Sequence, residues 1–223
     1  ALVGQQIIKP LNLVRQEIVN QHLIKLNLED VPASRRIEKM RQASEWIKNY
    51  DASISQSSIN LSEKKQNVLI ANSEGALVED SRTYTRMYLT AVASNESEMQ
   101  TGSHGPGAHQ GFEFIENLDL EFYAKDAARQ AVTMLKAGLC PSGKMPVVID
   151  NGFGGVIFHE ACGHGLEASS VSKGLSVFSS KLGQKVASEF VTAIDDGTIP
   201  NAWGSLNVDD EGTKTQRNVS IEN

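Results

Sequence analysis

The chain has 223 residues, 40% of them hydrophobic, and its 21 basic and 27 acidic side chains leave a net charge of −6. That length makes one large domain or two small ones, and the acidic balance, with no basic tract, excludes a dedicated surface for nucleic acid or acidic membrane. No apolar run is long enough to span a bilayer and no signal-peptide pattern opens the chain, so a reducing cytoplasm is the expected compartment for its two cysteines, Cys140 and Cys162. The sequence starts Ala1-Leu2-Val3 without an initiator Met and stops in an alternating run, Val219-Ser220-Ile221-Glu222-Asn223, and it reads as an internal piece of a longer protein.

Residues 5–28 place Ile7, Ile8, Leu11, Val14, Ile18, Leu23, Ile24, Leu26 and Leu28 at helix-like intervals, which predicts an amphipathic helix beginning after Pro10 and ending before Pro32. A second helix is expected from Ser34, as N-cap, to Tyr50, turning Ile37, Met40, Ala43, Trp46, Ile47 and Tyr50 to a core. Weak alternation over 51–61 and the apolar run 67–71 lead to the turn signal Asn72-Ser73-Glu74-Gly75. Residues 76–94 then alternate and are rich in Thr, Tyr and Val, so a β-hairpin about Ser73-Glu74-Gly75 is predicted.

Residues 100–111 hold four glycines, one proline and the two histidines His104 and His109. That composition reads first as a solvated connector; a flap over a site, or extra metal ligands in His104 and His109, is the functional alternative. The spacing is not that of a phosphate loop and no Lys closes it, so nucleotide binding is not supported. Asn117 or Asp119 can cap a helix over 118–137 with a small face of Ala124, Ala127, Ala128 and Ala131, and Gly138 stands where a left-handed terminator belongs. A linker over 139–144 precedes a short strand at 145–150, a glycine-rich turn and a further helix. Strands are expected at 190–194, about 206–208 and at the end. Together these elements predict an α+β fold: helices packed on a mixed or antiparallel sheet over residues 1–138, then the start of a β-rich domain over 139–223.

The chemistry concentrates in 152–168, G-F-G-G-V-I-F-H-E-A-C-G-H-G-L-E-A. His159, Glu160 and His164 form an H-E-x-x-x-H pattern, two imidazoles suited to a borderline-soft divalent metal with a carboxylate placed to take a proton from water. The zinc-peptidase spacing H-E-x-x-H is one residue shorter and sets both histidines on one helix face. Five residues of regular α-helix turn through about 500° and leave the rings roughly 140° apart. The pattern therefore predicts a distorted helix, a π-bulge or a break after Cys162, with Gly163 the position where distortion costs least. The plainer reading is a helix whose histidines pair or cap in a core; two histidines bracketing a glutamate, among glycines and in a chain with five histidines, favour the metal. Glu167, Cys162 and Cys140 are poor candidates for a third ligand.

The run Val156-Ile157-Phe158-His159-Glu160-Ala161-Cys162-Gly163-His164-Gly165-Leu166-Glu167-Ala168 resembles the metallopeptidase motif of the TldD/PmbA family. Lys173-Gly174-Leu175-Ser176-Val177-Phe178, the stretch from Asp195 to Ser205, and Asp209-Asp210-Glu211-Gly212-Thr213 resemble that family too, and Val68 to Gly75, Asp80-Ser81-Arg82 and Thr85-Arg86 more loosely. The resemblance implies a cytoplasmic zinc (Zn2+) peptidase in which His159 and His164 bind the metal and Glu160 activates water. It also implies a third ligand, a cysteine beyond Asn223, so that these residues alone are expected to be inactive. The partners implied are an extended or unfolded peptide substrate and a second subunit, in a homodimer or a heterodimer with a PmbA/TldE-like chain, the intact motif marking this chain as resembling the catalytic one. Two other readings compete with it: a non-catalytic substrate-binding or docking module, and a modulator of DNA gyrase, which the acidic composition makes an indirect one.

Overall fold

The computed structural model describes residues 12–222. They form two compact units, one holding the described residues up to Gly138 together with Asp196–Gln216, the other Leu139–Asp195 with the strand that begins at Arg217. The fold is α+β, with helices on a mixed sheet.

In the first unit the expected hairpin is the framework. Strand β2 (Ile54–Ala71) runs antiparallel to β3 (Ala76–Ser94), with Ile59 opposite Leu89 and Ala71 opposite Leu77. Gly75, in the turn, has φ +95°, and a Cβ there would lie 2.8 Å from the Asn12 carbonyl oxygen, so glycine meets both the conformation and the space. β3 is the spine of the sheet. β2 follows one edge, and β1 (Val14–Arg15, parallel), β5 (Gly107–Ala108) and β4 (Met99–His104) follow in turn along the other.

The alternation of β3 serves two layers. Met87, Leu89, Ala91 and Ala93 are fully buried in one core with helix α1 (Ala33–Lys48), through Ala43 and Ile47, and helix α3 (Leu120–Leu135), through Ala124, Ala127, Ala128, Ala131 and Leu135. The short helix α2 (Glu113–Asn117) adds Ile115. Val78, Asp80, Arg82, Tyr84 and Arg86, at the other parity, meet the returning segment Asp196–Gln216: Arg82 donates to the Asp210 carboxylate (2.8 Å) and the Val208 carbonyl (2.9 Å), and Asn207 Nδ2 donates to Asp80 (2.9 Å). Trp203 sits against Tyr84 and receives the Arg86 guanidinium on its ring face.

Several expectations are corrected. Residues 12–27 hold the two-residue strand Val14–Arg15 and otherwise irregular backbone rather than a helix, and a 3-10 turn follows at Leu28–Asp30; positions up to Leu11 lie outside the described residues. Helical spacing there conceals a segment whose apolar side chains divide between solvent (Leu13, Val14, Val19 and Leu23 are exposed) and the core. Helix α1 starts with Pro32, not Ser34, in the capping place, and Ile37 and Tyr50 face out. Asp119 caps α3 by accepting from the Phe122 N–H at 3.0 Å, but the helix ends at Leu135 and Gly138 is not left-handed. In the second unit, 145–150 is irregular and exposed rather than a strand, and the late strands are short: β6 (Ala193–Asp196) paired with β7 (Arg217–Ile221).

The glycine-rich stretch 100–111 is not a solvated connector but β4 and β5. Gly102 is buried under α3, and His104 Nε2 lies 2.7 Å from the Asp126 carboxylate. Burial of Asp126 works against its charge, yet hydrogen bonds from His104, Arg129 and Gln130 prevail and hold it well below the usual carboxylate range.

His109 is fully buried, its ring stacked on His22 (3.8 Å between centroids) and on Tyr84 (4.4 Å). His22 Nδ1 accepts from the Asn201 backbone N–H at 3.1 Å, and His109 Nδ1, 3.0 Å from the Ser205 carbonyl, donates to it. His109 Nε2 has no hydrogen-bond partner among the described residues. Burial, first, pushes both imidazoles below their ordinary value; their mutual repulsion adds to the effect on His22, and Asp80 opposes it in both. The unfolded chain then binds more protons than the folded one below the ordinary histidine pKa of about 6.5. The pair's contribution to stability is complete above that pH and declines as pH falls through the lowered folded values. Denaturant unfolding between pH 8 and 5 should show a decline beginning near pH 6.5, and His22→Gln/His109→Gln should flatten it.

Candidate metal centre

The site lies within one stretch of the second unit. A 3-10 turn, Gly152–Gly155, passes into helix α4 (Val156–Phe158), then a π-helical turn over His159–Gly163, then α5 (His164–Leu166). The π turn is closed by the His164 backbone N–H donating to the His159 carbonyl, an i to i+5 bond between the two histidines themselves. Five residues are thereby wound into about one turn instead of nearly one and a half, as the spacing requires.

The imidazole centroids consequently stand 4.5 Å apart, with planes at 66°. One donor atom from each of His159, Glu160 and His164 falls within 4.8 Å of the others, and all three side chains are exposed. His164 Nε2 faces the Glu160 carboxylate at 3.8 Å, while its Nδ1 is 2.8 Å from Glu167 Oε1. Gly163 lies under the His159 ring: a Cβ there would be 3.1 Å from Nδ1. Two nitrogens each about 2.0–2.1 Å from a zinc ion stand about 3.3 Å apart in a tetrahedral site, which rotation of exposed side chains from this arrangement can reach. The donor set fits a zinc-type ion.

The other sequence candidates are not brought here. Cys140 is exposed, Cys162 is half-buried within the π turn, and neither joins the donor cluster found among the described residues. His104 and His109 belong to the first unit, engaged as described above. Glu167, weighed as a third ligand, stands 2.8 Å from His164 Nδ1, a contact that its position three residues after His164 allows.

Comparison with known proteins identifies the family. Residues 142–223 match the model of the PmbA/TldA metallopeptidase C-terminal domain, and residues 26–135 that of the PmbA/TldA metallopeptidase central domain. The chain belongs to the PmbA/TldD metallopeptidase family. Among its relatives, the metalloprotease TldD homolog of Haemophilus influenzae is 37% identical over 200 residues, which cover 87% of this chain and 42% of that protein. A metalloprotease of Methanothermobacter thermautotrophicus is 38% identical over 194 residues, covering 87% and 42%. The chain thus spans about two fifths of the length of these relatives. The fold is shared with a Bacteroides thetaiotaomicron protein named as a candidate modulator of DNA gyrase (TM-score 0.80, 17% identity, 96% of this chain and 48% of that one). It is shared also with TldE from Thermococcus kodakarensis (TM-score 0.67, 20% identity, 95% and 47%). No helix among the described residues is long and apolar enough to cross a membrane.

Proposed function

We propose that this chain carries the metal-binding motif of a zinc peptidase, with His159 and His164 as ligands and Glu160 as general base. The observation that carries the reading is the π turn, which closes between the two histidines and draws both rings to the Glu160 carboxylate. A zinc ion bound there would supply Lewis acidity, bringing the pKa of a bound water towards neutrality. Glu160 would take a proton from the attacking water as its oxygen bonds to the scissile carbonyl carbon, then deliver that proton to the departing amine nitrogen as the C–N bond breaks. The third ligand is assigned to a cysteine outside these residues, as the family resemblance implies, and hydrolysis by residues 1–223 alone is not expected.

The substrates proposed are extended or unfolded peptides held chiefly through their backbones, a mode that tolerates many side chains. The proposed assembly is a dimer, with a second copy or a TldE-like chain. A cytoplasmic location is retained from the two unpaired cysteines. Glu160→Gln in the full-length protein tests the reading: the metal should stay bound and hydrolysis of an unfolded polypeptide should fall steeply.

A further inference from the structure

We infer that Glu167 is a positioning residue for the metal centre, accepting the Nδ1 proton of His164 and so presenting Nε2 as the metal-binding atom. The inference rests on the proposed role of His164 and extends it to a residue outside the H-E-x-x-x-H pattern.

The geometry divides the two ring nitrogens. Nδ1 of His164 is 2.8 Å from Glu167 Oε1, whereas Nε2 faces Glu160 at 3.8 Å, on the side where the three donor atoms converge. An ionised carboxylate only accepts hydrogen bonds, so the proton shared with Glu167 belongs to Nδ1, and a neutral ring then has its free lone pair on Nε2. Nε2 is the atom a metal needs. The backbone explains the placement of Glu167. The helix stops after Leu166, Glu167 is extended (φ −62°, ψ 132°), and a new helical turn, Ala168–Val171, begins immediately, with the Ser170 and Val171 N–H groups both donating to the Glu167 carbonyl at 3.0 Å. That break fixes Glu167 at the end of the turn carrying His164. It also separates this carboxylate from Glu160, which leaves one acid to orient a ligand and the other to face the reacting water. Gly163 performs the corresponding service for His159: lacking a side chain, it lets the Nδ1 edge of that ring lie against the helix.

Carboxylate partners of ligating histidines are commonly worth about 10–100-fold in metal affinity. The test uses the full-length protein and its Glu167→Ala and Glu167→Gln variants, read by zinc competition against a chromophoric chelator and, on metal-free samples at pH 8, by 15N NMR of the histidine rings. Glu167→Ala should weaken zinc by about 10–100-fold and change His164 from the Nδ1–H form to a mixture of tautomers, while Glu167→Gln, which keeps a carbonyl acceptor, should recover much of both. More than half of the Glu167 side chain is exposed, so neither variant should disturb folding. Unchanged zinc affinity and unchanged tautomer in Glu167→Ala would overturn the inference. So would complete loss of zinc with the tautomer unchanged, which would make Glu167 a ligand. A wild-type protein that binds no zinc would overturn the proposed function instead, and the tautomer measurement, which needs no metal, would still decide the role of Glu167.

Discussion

Glu160→Gln is expected to lower hydrolysis of an unfolded polypeptide by the full-length protein by about 100- to 10,000-fold, the range by which positioned acid–base groups accelerate reactions, with zinc content unchanged. The substitution keeps the size and the hydrogen-bonding reach of the side chain and removes its capacity to hold a proton. Glu160 is exposed, so its replacement costs no packing. It is the carboxylate facing His164 Nε2, whereas the other nearby acid, Glu167, is engaged at the far nitrogen of that ring. Among the described residues, no second base therefore stands in position to replace it. A variant with wild-type turnover would remove Glu160 from the mechanism.

Gly102→Ala is expected to destabilise the first unit by about 3 kcal/mol, the upper part of the range for overpacked cores, and to lower its melting temperature by about 6–12 °C at this chain length. An added Cβ would lie 2.1 Å from the Ala127 carbonyl oxygen and 2.6 Å from the Ala131 amide nitrogen. Both are backbone atoms of α3 and have no rotamer to change, so the helix itself would have to lift from β4. The alanine face of α3 and the missing side chain of Gly102 are two halves of one close approach. Gly138→Ala is the control: nothing lies within 4 Å of the added carbon, and that variant should melt close to wild type. Equal melting temperatures for the two variants would show that α3 does not bear on β4 as described.

The same contact explains why part of the fold was unreadable in sequence. Where burial follows a regular period, reading succeeds: 76–94 is β3 residue for residue, and the small residues Ala124, Ala127, Ala128 and Ala131 are the buried face of α3. Where a residue is chosen for what lies across from it, local pattern misleads. Gly102 and Gly107 look like loop residues, yet they are small because Ala127 and Trp203 press on them. His104 and His109 look like spare ligands, yet they engage Asp126 and the stack with His22 and Tyr84. The pairing of 14–15 with β3, and of 196–216 with its polar face, joins segments far apart in the chain and leaves no local trace.

The metal motif is the opposite case. Its five-residue step is incompatible with two converging ligands on a regular helix, and that single incompatibility anticipates the π turn. Glu167 was harder to place, because spacing alone allows it to reach either a metal or a histidine. The broken backbone that settles its direction follows from the way Ala168–Val171 starts a new turn.

In the proposed metal centre His159 and His164 hold one ion between them. The most direct test is the zinc content of the purified full-length protein, measured by elemental analysis beside a His159→Ala/His164→Ala variant. About one zinc per chain is expected in the wild type and essentially none in the double variant. Wild-type protein that takes up no zinc, or a double variant that retains it, would contradict the proposal.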